Sequence, residues 1–176
     1  VALRLKDLPN VFGFDTLNEP NNGYIGWMDL AQPVGLARMG FNPSPFQSML
    51  LGDGIPQELD FWRPALPKAR STGKRTVNPD RLRAWKEGVD CIWKQHGVWD
   101  LGPDGQPRLL RPDYFTSVDS HPVDFNQDYL RPFANRYAAA IRTFMPQPAI
   151  LVESLPGLPA RRAMGGVGPP LSYHCQ

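Results

Sequence analysis

The sequence predicts an α/β protein with parallel strands, and three stretches carry this prediction. An apolar, β-prone run from Val11 to Leu17 leads directly into the polar residues Asn18, Glu19 and Pro20. An amphipathic helix is predicted from about Phe125 to Met145, and a short apolar strand, Ala149 to Glu153, follows it. A helix that leads straight into a short, continuous apolar strand is typical of repeating β-α units, whose strands are parallel.

The first third of the chain combines this strand with an irregular region. Residues 1–7 are expected to close a helix, and Leu8, Pro9 and Asn10 form the break before the strand. From residue 32 to residue 67 the recurring prolines exclude a long helix, so an irregular connection is predicted. Lys68 to Lys74 is expected to be an exposed turn.

The middle of the chain contains the clearest helical pattern of this region, near 79–96. Asn78, Pro79 and Asp80 supply a cap and a proline suited to a first turn. Apolar side chains then recur at spacings of three and four, at Leu82, Trp85, Val89, Ile92 and Trp93. This periodicity predicts a helix that ends at Gly97.

The last part of the chain is expected to continue the β-α alternation. Pro132 fits the helix from Phe125 only if it lies in the first turn. The strand Ala149 to Glu153 is apolar up to its final carboxylate, as buried parallel strands are. After a loop rich in glycine and proline, Leu171, Ser172 and Tyr173 are predicted to begin a third strand.

Composition limits the classes of function. The 176 residues suffice for one ordinary domain, and 19 basic against 17 acidic residues give a net charge of only +2. Such a balance lacks the concentrated basic field of nucleic-acid-binding proteins, so we expect no nucleic-acid partner. The two cysteines, Cys91 and Cys175, lack metal-ligand spacing, and neither a metal nor a cofactor is expected. No apolar run approaches the roughly 20 residues of a membrane helix.

Two glutamates, Glu19 and Glu153, stand at the ends of two predicted parallel strands. The carboxyl ends of such strands open onto the ligand crevice. A pair of carboxyl groups can hydrolyse a glycosidic bond, because one protonates the leaving oxygen while the other supports the positive charge on the sugar. The two residues therefore suggest glycoside hydrolysis.

The run GFDTLNEPNNGYIGWMDL resembles the acid/base strand of glycoside hydrolase family 5, a family of retaining (β/α)8-barrel enzymes. It is most similar to the fungal branch of glucosylceramide- and steryl-glucoside-cleaving β-glucosidases. Further similar segments are PSPFQSMLLGDGIPQELDFW, AWKEGVDCIWKQHGVWD, LLRPDYF and PVDFNQDYLRPFANRYAAAIR. Together they cover most of the chain up to about Glu153.

The resemblance implies a partial (β/α)8 TIM barrel that contains roughly strands four to six, within one incomplete catalytic domain. Residues 1–31 would hold the end of a helix, the acid/base strand and its loop. Residues 32–124 would form a long insertion with the helix near 79–96. Residues 125–176 would supply a helix, strand five and the start of strand six.

The resemblance also assigns roles to individual residues. Glu19 matches the general acid/base, and Asn18 matches the residue that hydrogen-bonds the sugar 2-hydroxyl. Glu153 would lie on strand five, where a carboxylate contacts the substrate or holds a neighbouring residue. Tyr173 and His174 look like the aromatic and imidazole pair of strand six. The nucleophile would belong to strand seven, which this chain does not contain.

The function implied by this resemblance is hydrolysis of the β-glucosidic bond of a glucosylated lipid, steryl glucoside or glucosylceramide, by a retaining mechanism. The isolated fragment is expected to be inactive, and the lipid substrate suggests transient contact with a membrane surface. An intracellular location, cytoplasmic or vacuolar, is expected, and the oligomeric state is left open.

Two other interpretations remain open at this stage. The chain could be a catalytically incompetent remnant with weak sugar or lipid binding. Alternatively, Glu19 and Glu153 could form a self-sufficient catalytic pair. Phe46, Phe61 and Trp62 could shape an entrance for an apolar aglycone, although packing explains these aromatic residues equally well.

Overall fold

The computed structural model describes residues 1–33 and 39–153, together with the backbone of 171–173. The described chain forms two compact units. The first combines Val1–Gly26 with the chain from Ser117 onward, and the second is Trp27–Thr116.

The helices and strands of the described residues are numbered in chain order. The helices are α1 (Ala2–Leu5), α2 (Pro45–Gly52), α3 (Ile92–Gln95) and α4 (Arg131–Arg142). The strands are β1 (Gly13–Asp15), β2 (Gly40–Phe41), β3 (Gln57–Arg63), β4 (Arg70–Val77), β5 (Trp99–Leu101), β6 (Pro107–Leu109), β7 (Ser117–Val118), β8 (His121–Pro122), β9 (Ala149–Val152) and β10 (Leu171–Tyr173).

The first unit contains a parallel sheet in the order β1-β9-β10, with β9 in the centre. Phe14 of β1 lies opposite Ile150 of β9, and Ile150 also lies opposite Leu171 of β10. The three strands adjoin in the order in which they occur along the chain. The predicted parallel α/β arrangement is confirmed, including the third strand at Leu171.

Helix α4 covers this sheet and completes its core. A single π-helical turn, Phe125–Leu130, precedes α4, and the Asp124 side chain caps it by accepting from the Gln127 N–H at 2.8 Å. Pro132 lies in the first turn of α4, as expected. The core combines residues of α1, β1, α4 and β9: Ala2, Phe14, Ala134, Ala138, Ile141, Met145, Ile150 and Val152.

The second unit is built around an antiparallel sheet in the order β2-β3-β4, with a separate β5-β6 hairpin. Helix α2 begins with a capping box: the Ser44 hydroxyl accepts from the Gln47 N–H at 3.2 Å, and the Gln47 side chain accepts from the Ser44 N–H at 2.9 Å. The buried apolar residues of this unit include Leu30, Met49, Leu50, Leu59, Cys91, Val98 and Trp99.

The helix predicted near 79–96 is wrong except for its last turn, because only Ile92–Gln95 is helical. Asn78 and Arg81 have φ angles of +58° and +56°, which right-handed helices do not contain. The Asn78 side chain donates to the carbonyl oxygens of Leu51 and Leu82 and accepts from the Leu82 N–H, so it holds a loop. Leu82 is also exposed, which shows that the spacing does not mark a buried stripe.

The expected turn at Lys68–Lys74 is also wrong, because most of this segment lies in β4. Strand β4 pairs antiparallel with β3, from Arg63 opposite Arg70 to Gln57 opposite Val77. Every side chain from Arg70 to Thr76 is exposed. A strand with two polar, exposed faces lacks the alternation by which strands are recognised.

No helix of the described residues is long and apolar enough to cross a membrane.

Candidate active site

Asn18 and Glu19 lie just beyond the carboxyl end of β1, as predicted. The Thr16 N–H still donates to the Leu151 carbonyl oxygen at 3.0 Å, so strand pairing reaches one residue past β1. Asn18 and Glu19 are exposed, whereas Pro20 is fully buried. The buried proline anchors the loop, and the two polar side chains before it remain accessible.

The backbone of Glu19 is unusual. Its φ of +46° lies in the left-handed region, which costs a residue with a Cβ atom about 1–2 kcal/mol. Such conformations persist only where the surroundings impose them, and they cluster at functional sites. The backbone conformation of Glu19 therefore marks this strand end as a candidate site. This evidence does not depend on the residue being a glutamate.

Glu153 is the residue that holds Glu19. It follows β9 directly, and its Oε2 atom accepts a hydrogen bond from the Glu19 backbone N–H at 2.6 Å. Hydrogen bonds to ionised carboxylates are about twice as strong as neutral ones. The two residues are 134 positions apart in the chain, so this bond links the carboxyl ends of adjacent parallel strands.

The loop after Pro20 is ordered by its own asparagines. The Asn21 Oδ1 atom accepts from the Gly23 N–H at 2.7 Å, and the Asn22 side chain donates to the Ile25 carbonyl oxygen at 2.9 Å. Asparagine side chains commonly close turns in this way. These bonds fix the loop that borders Glu19.

The third strand ends at the same edge of the sheet. The Tyr173 backbone lies opposite Val152, the residue before Glu153. The structure thus brings Asn18, Glu19, Glu153 and the backbone of Tyr173 to one edge. The predicted site residue His174 lies outside the described residues.

Thr16 is a residue at this edge that the sequence did not single out. Its hydroxyl oxygen is buried and has no hydrogen-bond partner among the described residues. A threonine one position beyond a strand is too common a feature to be recognised from sequence.

Two cavities lined by described residues lie away from this edge, and neither is lined by Glu19 or Glu153. One of about 350 Å³ lies at the opposite end of the parallel sheet, where Phe12 precedes β1 and Pro148 precedes β9. The other, of about 280 Å³, lies beside β3 in the second unit. Within the described residues, no cluster of three or more His, Cys, Asp or Glu side chains could hold a metal.

The aromatic residues considered for an aglycone entrance have packing partners. Phe46 lies edge-on to the fully buried Trp99, with 6.4 Å between ring centres. Phe61 lies edge-on to Phe41, with ring centres 5.0 Å apart. Packing therefore accounts for Phe46 and Phe61.

Comparison with curated proteins identifies fungal glycosidases. The chain is 39% identical to a glucosylceramidase of Rhizopus delemar, over 88% of this chain and 23% of that protein. It is 31% identical to the ergosteryl-beta-glucosidase of Saccharomyces cerevisiae, over 62% of this chain and 17% of that protein. A glucosylceramidase of Aspergillus fumigatus is 31% identical, over 81% of this chain and 22% of that protein. No family model matches the chain.

Comparison with solved structures agrees with these relatives. Sterylglucosidase 1 of Cryptococcus neoformans, crystallised with tris, superimposes with a TM-score of 0.75 at 26% identity, over 92% of this chain and 27% of that chain. The chain spans about a fifth of the length of the curated relatives it matches. These comparisons confirm the resemblance to the fungal glucosylceramide and steryl glucoside hydrolases.

Proposed function

Since the chain is related to part of the fungal glucosylceramidases and steryl glucosidases, we propose that it carries the proton-transfer half of a retaining β-glucosidase. The proposed substrate is a glucosylated lipid, steryl glucoside or glucosylceramide. The observation that carries this proposal is the bond between Glu153 and the Glu19 N–H. It fixes an exposed carboxyl residue at the carboxyl edge of a parallel sheet, where the chemistry of such folds is found.

In the proposed mechanism, Glu19 is the general acid and base. Its carboxyl group protonates the glycosidic oxygen, so that the lipid leaves as a neutral alcohol while a nucleophilic carboxylate, supplied from outside this chain, bonds to the anomeric carbon. Glu19 then removes a proton from water as the water attacks the glucosyl intermediate. The exposed Asn18 side chain would hydrogen-bond the sugar 2-hydroxyl.

Glu153 is proposed to be a positioning residue rather than the nucleophile. One of its two carboxylate oxygens, Oε2, accepts a hydrogen bond from the Glu19 N–H at 2.6 Å. A nucleophilic carboxylate must direct an oxygen at the anomeric carbon, whereas the Glu153 carboxylate is hydrogen-bonded to the main chain of the proposed proton donor. This geometry favours the separate nucleophile over a self-sufficient pair of Glu19 and Glu153.

We further propose that β1, β9 and β10 are strands four, five and six of a (β/α)8 barrel. Strands that follow one another in the chain lie side by side in such barrels, as these three do. In the described residues β1 and β10 each pair on one side only, and barrel strands from the rest of the protein would cover those edges. Residues 27–116 would then form an insertion after strand four.

The function can be tested on the full-length protein that contains this chain. Glucose release from a steryl glucoside and from glucosylceramide would be measured for the wild type, for Glu19→Gln and for the control Glu87→Gln, which changes an exposed glutamate of the second unit. Loss of general acid catalysis predicts a drop of roughly 10²–10⁴-fold for Glu19→Gln only. Absence of glucose release by the wild type would overturn the proposal in favour of an incompetent protein.

A further inference from the structure

One face of the β2-β3-β4 sheet gathers three arginines around two phenylalanines. Arg63 of β3 lies directly opposite Arg70 of β4. The Arg75 guanidinium lies 4.4 Å from the centre of the Phe61 ring, and the Arg63 guanidinium lies 6.0 Å from it. The Phe41 ring contacts Phe61 from the neighbouring strand. We call these five residues the arginine face.

The positive charge of the arginine face is uncompensated within the described chain. None of the ion pairs found among residues 1–33 and 39–153 involves Arg63, Arg70 or Arg75. Like charges directly opposite each other on a sheet destabilise it. Binding of an anion between Arg63 and Arg70 would remove this repulsion.

The connection between β3 and β4 adds an apolar side chain to this basic surface. Leu66 is 93% exposed, and it lies between Arg63 and Arg70 in the sequence, close to the exposed Lys68. An apolar residue flanked by cationic residues is the pattern by which proteins attach to a membrane interface: the cations meet the phosphate groups and the apolar side chain enters the headgroup layer.

The opposite face of the same sheet has a different character. Glu58 and Asp60 alternate with Leu59 and Phe61 along β3, so their carboxylates point away from the arginine face. Asp60 accepts a hydrogen bond from the Ser71 hydroxyl at 2.7 Å. The carboxylates of β3 therefore lie on one side of the sheet, and the three arginines lie on the other.

We propose that the arginine face and Leu66 dock this protein on anionic phospholipid bilayers. The proposal rests on the proposed function, because a glucosylated lipid lies in a bilayer and an enzyme that cleaves it must reach that surface. Charge complementarity selects the partner. The three arginines match the negative potential of an anionic leaflet, which attracts each basic residue near the surface.

The test measures binding of the full-length protein to vesicles that contain no glucolipid. Phosphatidylcholine vesicles with and without phosphatidylserine would be compared by co-sedimentation. We expect binding only to the anionic vesicles, weakened by salt. The Arg70→Gln/Arg75→Gln variant should bind about fivefold more weakly for each arginine removed.

A second variant and two controls separate docking from general charge or folding effects. Leu66→Asp should weaken binding while keeping every arginine, whereas Leu82→Asp, at another exposed leucine, should not. Lys86→Gln, at an exposed lysine outside the sheet, should bind as the wild type does.

Three results would overturn the proposal: no binding of the wild type to anionic vesicles, unchanged binding by both the double variant and Leu66→Asp, or binding of single-stranded RNA in place of vesicles.

Hydrolysis of a water-soluble aryl glucoside reports the proposed function separately. The double variant should retain it, because no bilayer is involved. If the wild type binds anionic vesicles but does not hydrolyse the aryl glucoside, the catalytic proposal is contradicted and the docking proposal still stands.

Discussion

The Oε2 atom of Glu153 accepts a hydrogen bond from the backbone N–H of Glu19 at 2.6 Å. The bond crosses from the end of β9 to the end of β1 and fixes a residue whose φ of +46° is unfavourable by itself. Glu153 thus supplies the kind of external restraint that such a conformation requires. The position of the proposed proton donor depends on a second carboxylate.

Removal of the Glu153 carboxylate should impair catalysis through Glu19. A hydrogen bond to a charged group contributes about 1.5–3 kcal/mol, so Glu153→Ala should lower kcat of the full-length protein by roughly 10–100-fold. Glu153→Gln should retain more activity, because its amide oxygen can still accept from the Glu19 N–H. The measurement is kcat and KM on a steryl glucoside for both variants.

The pattern across these two variants separates positioning from nucleophilic attack. A nucleophile replaced by glutamine loses as much activity as one replaced by alanine, since neither side chain can bond covalently to the sugar. Equal and near-complete inactivation of both variants would contradict the positioning role. Activity of Glu153→Ala within twofold of the wild type would show that the bond is unimportant.

Gly13 is required by the close approach of β1 and β9. A Cβ atom at this position would lie 2.9 Å from the Ala149 carbonyl oxygen and 3.3 Å from the Ala149 Cβ atom. Because the obstacle includes the backbone of the central strand, Gly13→Ala should destabilise the protein by about 1–3 kcal/mol. The matched control is Gly52→Ala, where the nearest atom would be 4.0 Å away. Thermal unfolding of both variants measures this loss of stability. Equal Tm values for Gly13→Ala and Gly52→Ala would contradict the prediction.

The region around Glu19 could be predicted from sequence because its signals are local. The apolar run before Asn18, the polar loop after Pro20 and the apolar strand before Glu153 each specify their own structure. The bond between Glu153 and the Glu19 N–H could not be predicted, because it joins residues 134 positions apart and depends on a left-handed φ at a glutamate. The sequence indicated that the two strand ends share an edge, and the resemblance implied only that Glu153 either contacts the substrate or holds a neighbouring residue.

The second unit was predicted poorly for physical reasons that differ between its segments. The spacing of Leu82, Trp85 and Val89 imitates a helix, but the side-chain bonds of Asn78 stabilise a loop instead. Strand β4 is stabilised by backbone pairing with β3, and its exposed polar residues give no apolar alternation. Side-chain hydrogen bonds overrode the local pattern at Asn78, and pairing with β3 did so in β4.

Asn78 should therefore be important for the stability of the loop that replaces the predicted helix. Asn78→Ala removes three hydrogen bonds and places a Cβ-bearing residue without a polar side chain at φ +58°. We expect faster amide hydrogen exchange in residues 78–91. Asn78→Gly removes the same bonds but tolerates the positive φ. If the bonds dominate, amides in Asn78→Gly should exchange at least as fast as in Asn78→Ala. If the backbone conformation dominates, they should exchange more slowly than in Asn78→Ala. Exchange unchanged in both variants would contradict the loop's dependence on Asn78.

The β5-β6 hairpin supplies a prediction about pH. The backbone N–H of Gln106 and then the Arg108 guanidinium hold the pKa of Asp104 below its usual range. A carboxyl whose folded pKa is depressed stabilises the fold above its unfolded pKa, near 3.9, and this contribution is lost as the pH falls through the folded value. NMR titration should show the depressed midpoint and its partial return in Arg108→Gln. An unchanged midpoint in that variant would exclude a contribution from Arg108.

The central claim, that Glu19 is the general acid and base, is tested most directly by substrates with different leaving groups. The full-length Glu19→Ala variant should hydrolyse a steryl glucoside roughly 10²–10⁴-fold more slowly than the wild type. An aryl glucoside with a strongly acidic leaving group needs no proton, so its glucosyl transfer to the enzyme should be nearly unchanged, and azide should restore turnover by forming β-glucosyl azide. Equal losses on both substrates without azide rescue, or full activity on the steryl glucoside, would contradict the claim.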